Sequence, residues 1–164
     1  MEENNKNLNK KHISGIVHVL LSHSYAMFFC TVVLGVIFDI IFSIRVFNNI
    51  AYEYLGLALI FFGTLLIYWS QSTTRSVGKA ISQERDVNFF LHGPYKYTRN
   101  PTNFGLTLSV LGLGFLIHSL FSVIFMVIAY IISKLVFMKK QDLILKERYG
   151  DVFDEYKKKV NNWL

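Results

Sequence analysis

Cysteine, proline and charge are all scarce in this chain of 164 residues. Cys30 is the only cysteine, which excludes an internal disulfide and any cysteine-based metal cluster. Charged residues make up 17% of the sequence, against roughly a quarter in soluble domains. The first twelve residues, MEENNKNLNKKH, are polar and lack a small-residue cleavage site, so no secretory leader is expected. No basic recognition helix or RNA-binding motif accompanies the net charge of +6, so nucleic acid is not an expected partner. No repeat at a solenoid period is apparent either. The two prolines, Pro94 and Pro101, fall within a single stretch, LHGPYKYTRNPTNFG, from Leu91 to Gly105.

Apolar side chains, by contrast, are plentiful. Hydrophobic residues reach 52% and aromatics 16%, and the mean hydropathy is +0.37. These values point to a membrane protein, in which a positive charge reports basic segments beside anionic lipid. The run from Ile13 to Ile44 would be about 48 Å long as one helix, against a hydrocarbon core of about 30 Å. It reads as an interfacial segment followed by a first span near Tyr25–Ile44, ended by Arg45. A second span is expected near Ile50–Trp69, with Tyr68 and Trp69 in an aromatic belt and Glu53 close to its start. Residues 70–90 read as a polar linker. From Asn103 to Met138 the chain is again almost wholly apolar, about 54 Å as one helix. A break at His118–Ser119 would divide it into a hairpin of two helices of about 26 Å each.

The tail from Lys139 is charged, with Leu145, Tyr149, Val152, Phe153, Tyr156 and Val160 at helical spacing. Gly150 would stop one helix, and Asp151, with Asp154 three residues on, would cap the next. Two short amphipathic helices on the membrane face are therefore expected. The fold expected is all-α: a polytopic helical membrane protein with about four transmembrane helices, a C-terminal helix hairpin and amphipathic cytoplasmic tail helices. One domain would comprise an N-terminal tail and interfacial segment (1–24), two spans (25–69), a linker and the proline-bracketed stretch (70–102), the hairpin (103–138) and the tail (139–164). The basic residues lie in the N-tail, the linker and the C-tail, which places both termini and the proline-bracketed stretch in the cytoplasm.

That stretch has a plain reading and a chemical one. Each proline biases its predecessor away from helix, and Pro101 suits a first helical turn, so a surface turn leading into the third span would account for both. A turn alone has no need of Tyr95, Tyr97, Arg99 and Asn103 beside the start of a membrane helix. Free N–H groups at that start, with Arg99, suit an anionic group such as a carboxylate, and the tyrosines suit a flat ring or a cation. Gly105, Ser109 and Gly112 share one helix face and would let two membrane helices approach closely. Gly112-Leu113-Gly114 has no preceding strand and is not a dinucleotide loop. Asp39, inside the first span, is either functional or paired with Arg45 by snorkelling. His12, His18 and His23 do not share a helix face as metal ligands would, and no metal is expected. His92 is either a base near a site or a solvated linker residue. Asp142 and Gln141, directly after the last span, could belong to a site with Arg99.

The motif GPYKYTRNPTNFG resembles the signature of the membrane-integral methyltransferases, the isoprenylcysteine carboxyl methyltransferase and phospholipid methyltransferase group. Their pattern is approximately Gly-x-Tyr, then Arg-His/Asn-Pro-x-Tyr-x-Gly, a helix hairpin and a paired Glu-Glu, followed by Leu, Phe-Gly and two spaced tyrosines. The tail, QDLILKERYGDVFDEY, is similar at Leu145, Tyr149, Gly150, Phe153 and Tyr156, and the resemblance covers roughly residues 50–160. Asn100 stands where many members have His, Asn103 where Tyr is usual, and Gln141-Asp142 where Glu-Glu is usual.

The resemblance implies a helical membrane enzyme using S-adenosyl-L-methionine on a lipophilic small-molecule or lipid-linked substrate among membrane lipids. It implicates Asn88, Phe89, Phe90, Gly93, Tyr95, Arg99, Asn100, Pro101, Thr102, Asn103, Gln141 and Asp142 in holding the cofactor, with Arg99 and Asn100 as catalytic candidates. Aromatics would hold the ring and the sulfonium, Arg99 or helix N–H groups the carboxylate, and Asp142 the ammonium or ribose. Two other readings stand beside it. One is a membrane reductase of the sterol-reductase type using NADPH, although such chains are usually much longer. The other is a non-catalytic membrane protein that retains the fold, which the changes at Asn103 and Gln141-Asp142 would favour.

Overall fold

The computed structural model describes residues 25–42, 47, 49–80 and 90–160. Among these the chain is helical: α1 (Tyr25–Phe42), α2 (Ile50–Ala80), a 3-10 turn (Gly93–Lys96), α3 (Pro101–Leu116), α4 (Leu120–Ile132), a π-helical turn (Ser133–Met138), α5 (Lys139–Tyr149) and α6 (Asp151–Lys159). Three stretches are long and apolar enough to cross a membrane: Tyr25–Phe42, Ile50–Ser76 and Leu120–Glu147. Among the described residues, three of the about four spans expected thus reach that length, and the fourth expected span is the shorter apolar helix α3. The apolar α3 has 16 residues, about 24 Å. Pro101 fixes its start, and the left-handed backbone of His118 (φ 54) turns the chain just past its end.

The apolar sequence leaves little to bury inside so small a bundle. Phe29, Ile40, Ile41, Phe61, Phe62 and Tyr68 are each exposed by more than half, as helices that meet lipid should be. One small core lies between α1, α3 and α4, where Phe28, Met126 and Ala129 are buried against Leu106, Val110 and Leu111. Phe38 of α1 packs edge-on against Phe125, with ring centroids 5.3 Å apart.

The tightest helix contact is between α2 and α3, and glycine makes it possible. A Cβ on Gly112 would lie 2.5 Å from the carbonyl oxygen of Gly56, and one on Gly105 would lie 2.7 Å from that of Gly63. The shared face of Gly105, Ser109 and Gly112 is thus a backbone-to-backbone seam, the arrangement small residues permit where no hydrophobic effect drives helices together.

Two expected boundaries differ. Residues 70–80 of the expected linker are helical: α2 continues to Ala80. Its hydroxyls bond to the helix's own carbonyls, Ser70 Oγ to Leu66 O at 2.8 Å, Thr73 Oγ1 to Trp69 O at 2.9 Å and Thr74 Oγ1 to Ser70 O at 2.9 Å. Polar residues therefore stay helical without competing for backbone donors. At the other boundary, helical backbone runs from α4 through the π turn into α5, so the first tail helix extends the last span instead of lying separately on the membrane face. The extra residue of a π turn rotates the C-terminal part by about 100° relative to an uninterrupted helix. Gly150 (φ 57) ends α5, and it, not Asp151, occupies the N-cap of α6; no side chain caps that helix. The chain after α2 is described again from Phe90, so Asn88 and Phe89 lie outside the described residues, as do His12, His18, His23 and Arg45.

Candidate functional site

At the end of the bundle where α2 finishes and α3 starts, an open cavity of about 500 Å³ is lined by Tyr25, Gln71, Thr74, Arg75, Tyr95, Arg99, Asn100, Pro101, Thr102, Asn103 and Gln141. The proline-bracketed stretch forms most of its wall because the two prolines do different things. Gly93 adopts φ 53, and a side chain there would run into Thr73 of α2, so only glycine lets the turn sit this close. Pro94 then occupies the first turn of the 3-10 helix and is buried. This aims Tyr95 at α2, where its hydroxyl and Thr74 Oγ1 lie 2.9 Å apart. Pro101 starts α3. Asn100 stands at the N-cap, but its side chain makes no capping bond, so the first-turn N–H groups of α3 have no side-chain acceptor there.

Two polar atoms in the wall lack a partner among the described residues: Arg99 Nε, a donor, and Asn103 Oδ1, an acceptor. One arm of the Arg99 fork is engaged. Nη1 donates to Asp142 Oδ2 at 2.7 Å, with the two side chains 9% and 16% exposed. Lys157 Nζ of α6 approaches the same oxygen at 3.7 Å. Asp142 therefore orients the guanidinium from behind while Gln141 reaches the cavity. The tail is clamped to the signature a second time: Tyr156 donates its hydroxyl to the carbonyl of Tyr95 at 2.7 Å. Burial, the main cause, raises the Tyr156 phenol well above its ordinary value, so it remains a donor at neutral pH.

Of the residues picked out from the sequence, Tyr95, Arg99, Asn100, Pro101, Thr102, Asn103 and Gln141 line the cavity, and Asp142 stands behind Arg99. Phe90 and Gly93 do not line it. Phe90 stacks on Tyr156 at 5.0 Å and meets Tyr149 edge-on at 5.0 Å, joining Phe153 and Val160 in the core that docks α6. Tyr97 is 65% exposed and points elsewhere. The carbonyl of His92 accepts from Tyr95 N at 3.2 Å, at the cap of the 3-10 turn. Sequence reasoning missed Tyr25, Gln71, Thr74 and Arg75. The last three sit at i, i+3 and i+4, one helix face, and would have been legible had α2 been extended past Trp69.

Asp39, whose two readings stayed open, is hydrogen-bonded within the bundle, and Arg45 lies outside the described residues. The Asp39 carboxylate accepts from the Ser119 hydroxyl and, at 3.4 Å, from Phe121 N, at the start of α4 and far along the helices from the cavity.

Taken together, the helices define a polytopic helical membrane protein with an open cavity at the start of α3. Residues 51–152, more than half of the chain, match the phospholipid methyltransferase family, and the chain belongs to that family. No individual curated protein and no solved structure matches it.

Proposed function

We propose that this chain, acting as one membrane-integral domain, transfers the methyl group of S-adenosyl-L-methionine to a lipophilic acceptor that reaches the cavity from the bilayer, in the manner of the isoprenylcysteine carboxyl methyltransferases. The observation that carries the reading is the unpartnered pair on the wall, Arg99 Nε and Asn103 Oδ1, inside a cavity made from the family signature. A buried polar atom without a partner costs about 1–3 kcal/mol. A donor on Arg99 and an acceptor on Asn103, two residues of the cavity lining near a helix start, suit an α-amino acid, whose carboxylate accepts and whose ammonium donates.

S-adenosyl-L-methionine suits those residues and would supply an electrophilic methyl on a sulfonium. Arg99 Nε and the first-turn N–H groups of Thr102 and Asn103 would hold the carboxylate. Asn103 Oδ1 would accept from the ammonium, and the Tyr95 ring would meet the adenine or the sulfonium. Asp142 holds Arg99 in place and Gln141 closes the wall. Asn100, buried at the N-cap, sets the position of α3's first turn, and Gly93 and Phe90 position the signature against α2 and α6. Asn88 and Phe89 are assigned by the resemblance alone. The work of these residues is alignment and exclusion of water, with no acid–base pair required of them. The described Lys and Arg residues fall in the C-terminal part of α2, around the signature and from Lys134 onward, which supports a cytoplasmic cavity and cytoplasmic termini.

The test is equilibrium binding of S-adenosyl-L-methionine to the purified protein, with tritium transfer from its methyl group into extracted lipid as the second readout. Arg99→Ala and Asn103→Ala should each weaken binding about tenfold, which corresponds to about 1.4 kcal/mol. Binding that is absent, or untouched by both changes, would overturn the assignment. Thermal stabilisation by NADPH but not by S-adenosyl-L-methionine would move the protein to the reductase reading.

A further inference from the structure

We infer that Arg75, with Gln71 beside it on α2, is the binding site for the anionic head group of the acceptor, a phosphate or carboxylate carried by an acyl-chain amphiphile. Naming that ligand the acceptor, and the part of the charge argument that involves the cofactor, rest on the function proposed above; the unmatched Arg75 and its position do not.

Charge makes the first argument. Arg75 and Arg99 are the ionisable cations on the cavity wall, and among the described residues no aspartate or glutamate lines it. Arg99 is matched by Asp142 at 2.7 Å. Arg75 has no carboxylate within ion-pair distance among the described residues, and its side chain is exposed. A sulfonium cofactor with an ammonium and one carboxylate is itself net positive. Such a cofactor and an unmatched guanidinium in one cavity repel each other unless an anion shares the space.

Position makes the second. Gln71, Thr74 and Arg75 fall on one face of α2, and the contact between Thr74 Oγ1 and the Tyr95 hydroxyl at 2.9 Å fixes that face against the signature. Just before it, Tyr68 and Trp69 are the last large apolar side chains of α2, 74% and 44% exposed. Six residues of helix separate Trp69 from Arg75, a rise of about 9 Å. An amphiphile whose chain lies along the apolar part of α2 would therefore bring its head group level with Arg75. A guanidinium offers a planar fork matched to two oxygens of a phosphate or carboxylate, and the Gln71 amide adds a donor. Arg75 also lies at the polar end of a span, where an arginine can simply snorkel to lipid. The experiment must separate that role from a site within the cavity.

Binding of tritiated oleate and of dodecyl phosphate is measured on the full chain in dodecyl maltoside micelles, without cofactor, with oleyl alcohol as the neutral counterpart. Wild-type protein should bind at least one anion saturably. Arg75→Ala should weaken that binding about tenfold or more, Arg75→Lys should fall between the two, and oleyl alcohol binding should not change. Lys140→Ala, which removes an exposed cation that does not line the cavity, should stay within twofold of wild type, and Arg75→Ala should bind S-adenosyl-L-methionine no more weakly than wild type does. Preference for dodecyl phosphate identifies a phosphate head group, and preference for oleate identifies a carboxylate. The inference is overturned if neither anion binds wild type, if Arg75→Ala binds both as wild type does, or if Lys140→Ala loses as much. It is also overturned if Arg75→Ala loses the cofactor instead. Arg75-dependent anion binding in a protein that binds no S-adenosyl-L-methionine would leave this site standing and remove the proposed function.

Discussion

The two ends of the helical bundle use polar residues in opposite ways. At the end formed by the α3–α4 tip, the carboxylates are taken up by structure. Asp39 accepts from Ser119 and Phe121 at the start of α4, the Ser119 hydroxyl accepts from Ser122 N at 3.0 Å, and Glu53 lies 3.4 Å from His118. Among the described residues, His118 Nδ1 is the one buried side-chain atom left without a partner there. At the cavity end, residues from α1, α2, the 3-10 turn, α3 and α5 converge, and both a donor and an acceptor in the wall stay unpartnered. One end is closed on itself and holds helices together. The other surrounds an open cavity, and two of its lining residues carry a buried polar atom with no partner among the described residues. The lesson concerns buried polar groups in apolar helices: satisfied ones are scaffolding, and clustered unsatisfied ones mark a site.

Substitutions at each end test that division. The largest effect is expected for Asp142→Ala, which strands the Arg99 guanidinium. Stability measured by thermal unfolding in detergent should fall by about 2–3 kcal/mol, and cofactor affinity by tenfold or more, because Arg99 loses its support. A smaller loss is expected for Asp39→Ala at the opposite end, about 1 kcal/mol for a removed helix-start acceptor. There the cofactor affinity should not change; if it drops as far as for Asp142→Ala, the ends are not independent. Tyr156→Phe should cost about 1 kcal/mol and loosen α6 from the signature, read as faster amide exchange in the tail. Burial raises the Tyr156 phenol above its ordinary value of 10.0. The folded state keeps the proton while the unfolded chain loses it near that pH, so this contribution is intact at neutral pH and is lost as pH rises above about 10. The Phe variant should lack that alkaline loss. Least affected should be Glu53→Gln, whose partner-facing side chain is 48% exposed, with less than about 0.5 kcal/mol at stake.

Much of the cavity end was legible in the sequence. Pro94 and Pro101 announced a turn and a helix start, and Arg99 through Asn103 with Gln141 were named as one site from their spacing and resemblance. Gly105, Ser109 and Gly112 announced a close helix contact, which exists against Gly56 and Gly63. Less legible was the length of α2. Ser70, Thr73 and Thr74 look like linker residues by composition, yet each hydroxyl bonds a carbonyl one turn back. That error hid Gln71, Thr74 and Arg75 from the site. Phe90 was implicated by the resemblance alone, and only the tertiary structure shows its ring stacked on Tyr156.

By itself, then, the sequence determined the class: an apolar chain interrupted by one proline-bracketed polar stretch puts its helices in lipid and starts a helix at Pro101, because hydropathy and backbone restriction are local properties. Tertiary structure alone decided which carboxylate serves which end. Asp39 and Asp142 are both single acids in or beside apolar helices. One caps the start of α4, and the other braces Arg99 across 43 residues of sequence. That difference depends on what packs opposite each of them, which no local pattern encodes.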